Sequence, residues 1–274
     1  LQMHERIMRL LALPYIISKR PDWDKFPGAF YSLGADTLLP SGRSLQLATF
    51  HQYMDNFAKV YDVTYETETG EHKYVYQTTD GMSERLLGAV LSVHGDEKGL
   101  VLPPAAAPVQ AVIVPILEKG RQEEMLREAQ RLFLDLRYLI RVKLDDRDIR
   151  PGEKYYYWEA RGVPLRIELG PREIERSAVT VIRRDNGEKK DLPREGLPER
   201  LRSVLELMQV AMWERAEKII VANTFTVTSL NEVKDGFNRL GWCGKETCSK
   251  TITERTSMSV LGTPFFPESF EGTC

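Results

Sequence analysis

Long apolar runs are missing from this sequence. None approaches the ~20 residues that a membrane-spanning helix needs, and no segment reads as a signal peptide. Cysteine is scarce, three in 274 residues, which excludes a disulfide framework and favours a reduced compartment. Charge is nearly balanced at −2, so a surface that binds polyanions indiscriminately is excluded and any nucleic-acid contact must be local. Internal repeats and low-complexity tracts are absent. No serine–histidine or cysteine–histidine pair stands at a spacing that marks nucleophilic catalysis. The expectation is a cytoplasmic protein with no membrane partner and no covalent protein nucleophile.

What is present reads as globular: 42% hydrophobic and 28% charged residues, over a length that suits about two domains. The first residue is Leu1 rather than Met, and it falls inside a helical pattern (Ile7, Leu10, Leu11). A fragment of a longer protein is therefore expected.

Residues 1–73 read as strands joined by turns. Tyr15–Lys19, Tyr31–Leu39, Leu45–Phe50 and Val60–Thr67 are extended pieces, separated by Lys25-Phe26-Pro27-Gly28, Pro40-Ser41-Gly42 and Thr69-Gly70. Consecutive hairpins of this kind build an antiparallel sheet. A further strand opens at Tyr74 and breaks at Asp80-Gly81. Leu86, Ala89, Val90 and Val93 then recur at helical spacing and share one face. Arg85 stands in the first turn of that helix. A cation at a strand–helix junction can grip an anionic ligand lying along the sheet.

From residue 109 strands and helices alternate, the pattern of an α/β layer fold. Ala111–Leu117 is a continuous apolar run, typical of a strand covered on both faces. Met125, Ala129, Leu132, Phe133 and Leu136 form a helical stripe; Ile140, Val142 and Leu144 alternate as a strand. Tyr155–Arg161 reads as a short helix, Pro164–Leu169 as a strand, and Val179–Arg183 with Glu188–Leu192 as a hairpin. Leu201, Val204, Leu205, Met208 and Met212 stripe a long helix. Between Arg141 and Arg176 nine Lys/Arg mingle with eight Asp/Glu. Taken alone, such a mixture is either a solvated charged face or a surface that reads bases. The stretches GKETCSK and PFFPESFEG after residue 240 are loop-rich and fit a small terminal module.

The run GMSERLLGA, followed by VHGDEKGLVLPP and VQAVIVPI, resembles motif 3 of the class II aminoacyl-tRNA synthetases. It is similar in particular to prolyl-tRNA synthetases of the archaeal and eukaryotic type, and the resemblance extends over nearly the whole chain. It implies a mixed α/β (α+β) protein in three parts. These are the C-terminal part of an antiparallel class II catalytic domain (1–106), an α/β anticodon-binding domain (107–210) and a truncated zinc-type domain (211–274). The implied activity is ATP-dependent ligation of proline to tRNA(Pro) through a prolyl-adenylate, with magnesium bridging the phosphates and a homodimer as the full-length assembly. Motif 1 and the motif 2 arginine of the family are not in this sequence, so the chain by itself is expected to be inactive or nearly so.

The same resemblance assigns residues. Arg85 becomes the clamp on the terminal phosphate of ATP, and Gln46, in LQLATFHQYMDNFAK, a second ATP contact. Thr49 and His51 from that stretch, Phe26 from Lys-Phe-x-Gly and Ser83 from motif 3 become the amino-acid pocket. Without it, His51 and Gln46 read as structural or solvent-facing, and Arg85 as half of a helix salt bridge. In KLDDRDIRPGEKYYYWEARGVPLRIELGPRE the resemblance turns the mixed charges into an anticodon reader. Guanine edges present mostly donors and need carboxylate acceptors, while phosphates need cations. Asp146, Glu153 and Glu159, with Arg147, Arg150 and Lys154, supply that mixture. Two positions depart from the family: Asp80 stands where an aromatic is usual, and Gln52-Tyr53-Met54-Asp55 replaces a stretch containing Leu-Gly. Two rivals follow: a tRNA-binding paralogue without activation chemistry, and a class II synthetase for another small amino acid.

Cys243 and Cys248 enclose a short polar stretch that contains Gly244, a spacing that suits two ligands of a tetrahedral zinc site. Spacing alone leaves zinc level with two unrelated thiols or a disulfide. The resemblance implies structural zinc in the intact protein, with Cys274 as a third ligand and the fourth beyond it.

Overall fold

The computed structural model describes residues 1–266. The chain divides into two compact units. One contains residues 1–5, 14–89 and 217–266; the other contains 6–13 and 90–216.

The first elements are α1 (Gln2–Leu10), β1 (Ile16–Lys19), β2 (Tyr31–Leu38), β3 (Ser44–Met54), α2 (Asn56–Tyr61), β4 (Thr64–Glu66), β5 (His72–Tyr74), β6 (Gln77–Met82) and α3 (Arg85–His94). β1, β2, β3 and β6 pair antiparallel in that order, as the hairpin pattern predicts. Ser32 to Leu38 of β2 are all buried, so this central strand is covered on both faces. Two expectations are corrected. The chain does not break at Asp80-Gly81: both residues lie inside β6, opposite Phe50 and Thr49. Ladder partners on β3 outweigh the local turn preference of Asp-Gly. Val60–Thr67 is not one strand, because Val60 and Tyr61 finish α2 and Asp62 caps it in the left-handed region. Only Thr64–Glu66 is extended, and it pairs with β5 in a separate exposed hairpin.

The second unit follows as β7 (Ala111–Pro115), α4 (Gln122–Leu136), β8 (Val142–Leu144), α5 (Pro151–Ala160), β9 (Leu165–Leu169), α6 (Pro171–Glu175), β10 (Ala178–Arg183), β11 (Lys189–Pro193) and α7 (Leu197–Ala222). The sheet order is β11-β10-β9-β7-β8, parallel among β9, β7 and β8 and antiparallel at the hairpin. Its central strand β7 is buried throughout. One face packs Ala111, Ile113, Leu165 and Ile167 against Leu132 and Leu136 of α4 and Leu201 and Leu205 of α7. The other face packs Val112, Val114 and Val163 under Tyr155 and Trp158 of α5. Each fully buried leucine contributes ~1.5–3 kcal/mol relative to exposure, so this double cover is the main stabilising term.

The remaining elements are β12 (Thr224–Thr226), β13 (Phe237–Arg239), α8 (Glu246–Thr256) and β14 (Thr263–Pro264). The C-terminal stretch expected to be loop-rich thus contains an eleven-residue helix. β14 returns to pair with β1, making five strands in the first sheet. Ile220 and Phe237 pack with Leu38, Ile16 and Leu261, so the C-terminal segment shares a core with that sheet. No helix among the described residues is long and apolar enough to cross a membrane.

Candidate functional site

In the first unit the residues singled out from sequence converge on β3 and its neighbours. Residues opposed across a ladder point to the same face of a sheet. Thr49 faces Gly34 of β2 and Gly81 of β6, and His51 faces Ser32 and Thr79. Simple alternation would send Gln46 to the other face. A bulge intervenes: Ala35 pairs with Ala48 but Asp36 pairs with Gln46, so Leu47 is the extra residue. The bulge returns Gln46 to the face of Thr49 and His51. Arg85, at the start of α3, donates from Nη1 to the Gln46 carbonyl at 3.3 Å, while its backbone N–H donates to Ser83 Oγ at 3.2 Å.

His51 has a defined setting. Its Nδ1 lies 2.8 Å from Ser32 Oγ, which also accepts from the Phe26 N–H at 2.9 Å. The Phe26 ring stands 4.9 Å from the imidazole and 5.9 Å from Tyr53. Burial holds His51 below the usual histidine range, with Asp80 pulling the other way. Gln46, Thr49, His51, Phe26, Ser83 and Arg85 therefore gather along one strand and its two flanks. Asp80 does not join them: it opposes Phe50, on the other face, and its Oδ1 lies 3.2 Å from His4 Nε2.

Sequence reasoning missed the floor of this face. Arg20 is 8% exposed and Asp36 is 1% exposed; Arg20 Nη2 donates to both Asp36 carboxylate oxygens, at 2.9 and 2.8 Å. A Cβ on Gly34 would stand 2.1 Å from that nitrogen, so the guanidinium fills the space a side chain would take beside Thr49. Burial raises the Asp36 carboxyl, opposed by Arg20. An arginine immediately after a short strand carries no sequence signal for such a role.

The six residues picked from the second unit separate. Lys154 is fully buried and donates to the Asp145 carbonyl at 3.0 Å; its burial lowers its pKa. That places it in the framework, away from any ligand. Arg147 donates to both Asp145 oxygens at 2.8 and 2.6 Å, and Trp158 Nε1 adds a third bond at 2.7 Å. Burial alone would raise Asp145, but these donors outweigh it and hold the carboxyl below its ordinary value. Arg147 and Arg161 lie over Tyr157, at 4.3 and 3.5 Å from the ring centre. Arg147 and Glu153, with Tyr156, Tyr157 and Arg161, line a shallow concavity of ≈ 530 Å³ on the outer side of α5. Asp146 and Arg150 are exposed nearby in sequence.

Glu159 lines a different cavity of ≈ 280 Å³, with Tyr155, Trp158, Arg166, Arg184 and Asn186. Arg166 donates to Glu159 at 2.7 Å and to Glu168 at 3.1 Å, and its guanidinium lies 3.9 Å over Tyr155. The Tyr155 hydroxyl is pushed up to about 12 by burial and by Glu168, so it stays a donor. The cavity thus sets aromatic side chains beside Arg166, which is held between two carboxylates, and Lys98, Arg183 and Arg184 also line it. Arg166 and Glu168 were also missed; alternating charges on β9 were the available signal.

Cys243 is exposed and Cys248 half-buried in the first turn of α8; no disulfide joins them. Among the described residues no group of three or more His, Cys, Asp or Glu is placed to hold a metal. Cys274 lies outside the described residues.

Residues 110–204 match the family described as Anticodon binding domain. Over 272 residues the chain is 47% identical to a proline–tRNA ligase of Thermococcus kodakarensis and 48% identical to one of Pyrococcus horikoshii. Each match takes 97% of this chain but only 56% and 57% of the relative. A crystal structure of a prolyl-tRNA synthetase from Cryptosporidium parvum, complexed with L-proline and AMP, superposes with a TM-score of 0.87 at 33% identity. It covers 96% of this chain and 59% of that one. The chain is similar to proline–tRNA ligases over nearly all of its own length and spans a little over half of theirs.

Proposed function

We propose that this chain is part of a cytoplasmic proline–tRNA ligase and carries the motif 3 side of its activation site together with its anticodon-binding domain. The observation that carries the reading is the face on which Gln46, Thr49, His51 and Arg85 meet. In activation a carboxylate oxygen of proline attacks the α-phosphorus of ATP; the bond to pyrophosphate breaks and an acyl-adenylate forms. Both reactants are anionic, so positioned cations and hydrogen bonds do the work. Arg85 clamps the terminal phosphate, and Gln46 lines the nucleotide side. Phe26, Thr49, His51 and Ser83 flank the amino acid, with His51 held neutral enough to pack against Phe26. Magnesium would arrive with the nucleotide, held by its phosphates, and neutralise them. Asp80, facing away, gives no reason to prefer another amino acid.

In the second unit Glu159 accepts from the Watson–Crick edge of an anticodon guanine, Arg166 holds Glu159 in place, and Tyr155 and Trp158 offer the stacking surface. Arg147, Arg150 and Arg161 suit the neighbouring phosphates, with Asp146 and Glu153 beside them. The full-length enzyme works as a homodimer. Amino-acid-dependent ATP–pyrophosphate exchange by the full-length parent, scanned across all amino acids, tests the reading. Exchange with proline is expected; exchange with a different amino acid, or none, overturns it.

A further inference from the structure

Arg20 does more than neutralise Asp36. Its backbone N–H donates to the Ser32 carbonyl at 2.8 Å, which fixes it to β2. Its Nη1 donates to the Leu261 carbonyl at 3.0 Å and to Ser18 Oγ at 3.3 Å, and Ser18 Oγ donates to that same carbonyl at 3.2 Å. Leu261 leads directly into β14, which pairs with β1 through Ser18 and Lys19. The connection is tight: Gly262 has φ +127, and a Cβ there would stand 2.0 Å from the Lys19 carbonyl. One guanidinium therefore joins the segment that leads into β14, the strand β1 through Ser18, and Asp36, whose ladder partner is Gln46. A buried ion pair is a poor source of stability, because desolvation offsets attraction, so its arrangement calls for another reason.

We propose that Arg20 is a positioning residue for activation: braced by Asp36 and the Leu261 carbonyl, it sets the wall beside Gln46 and Thr49, and β14 acts on the nucleotide through it. The proposal rests on the synthetase reading of this face. A planar fork can hold Asp36 and Leu261 together, whereas an ammonium cannot span both in a fixed orientation.

The test uses the full-length parent enzyme with Arg20→Lys, Gly262→Ala, the two combined, and Arg20→Met with Asp36→Leu. The last removes the pair while keeping an apolar interior, so it guards against simple unfolding. ATP–pyrophosphate exchange and thermal melting are read for each. Expected is a KM for ATP raised about tenfold by Arg20→Lys, with kcat within about threefold, the pattern of lost ground-state binding. Gly262→Ala alone gives a similar rise, and adds less than about twofold on top of Arg20→Lys, as for two parts of one unit. Melting that falls while KM stays unchanged in every variant makes the pair merely structural and overturns the proposal. So do effects of Gly262→Ala and Arg20→Lys that multiply. An unsubstituted parent with no exchange overturns the synthetase reading instead. Hydrogen exchange at the amides of Gly34, Asp36 and Thr49 then decides the bracing: faster after Gly262→Ala only when Arg20 is present supports it, and no change overturns it.

Discussion

Arg85 owes its place to two local facts, the end of β6 at Met82 and the capture of its own N–H by Ser83 Oγ. Its side chain is exposed and its protein contact is a single bond to the Gln46 carbonyl. Such a residue has little to do for stability. Arg85→Ala in the full-length enzyme should leave melting unchanged and lower kcat/KM for ATP in pyrophosphate exchange by about 10- to 150-fold. That range corresponds to the ~1.5–3 kcal/mol of a charge-assisted contact. Glu159 is the counterpart in the second unit. Glu159→Gln keeps the shape but removes the charge that Arg166 and a guanine edge share. Charging of tRNA should fall about tenfold or more while proline-dependent exchange stays within about twofold. Equal losses in both steps would make the cavity structural. Lys154 shows the limit of reading charges from a sequence: within one short basic and acidic stretch, one lysine is interior wiring and its neighbours are not.

At the scale of elements, strong periodicity was legible and ladder details were not. The buried strand at 111–115, two residues shorter than the apolar run, the stripes of α4 and α7 and the hairpin at residues 185–187 follow from hydrophobic spacing, because burial on a repeating face is what those patterns encode. The bulge at Leu47 leaves no such trace: it depends on the register of three strands, yet it decides that Gln46 joins Thr49 and His51. The same holds for Asp80-Gly81, whose turn chemistry is real but overridden by β3. α3 carries a further consequence at its C-terminus. His94 is 6% exposed, its Nε2 lies 3.2 Å from the Leu11 carbonyl, and burial lowers its pKa to about 4. Unfolding would restore an ordinary value near 6.5, so between those values the unfolded chain binds more protons. The stabilisation is fully present above about pH 6.5 and is lost as pH falls toward 4, on the order of 3 kcal/mol in all. Melting followed from pH 7.5 to 4.5 should drop more steeply for the parent than for His94→Gln, which cannot titrate. Parallel curves would remove His94 as the cause.

Across the whole molecule, residues 217–266 are compact with the N-terminal sheet: β14 pairs with β1, and Trp242 meets Trp23 edge-on at 5.7 Å. Cys243 follows that tryptophan and Cys248 lies in the first turn of α8, where the helix N-terminus favours a negatively charged ligand. Two sulfurs are half of what a structural zinc wants, and α8 buries only Ser249 and Ile252, so little apolar area holds this segment in place. We therefore propose zinc for the intact protein, with Cys243 and Cys248 among its ligands. Elemental analysis of full-length protein purified without chelator should give about one zinc per chain. Cys243→Ser or Cys248→Ser should abolish it and loosen α8, seen as faster hydrogen exchange confined to residues 240–257. Adenylate formation should persist, because neither cysteine belongs to the face of Gln46, Thr49 and Arg85. Metal-free protein with two freely titrating thiols at these positions would overturn the assignment, and loss of exchange activity together with the metal would mean that this segment supports the catalytic face directly.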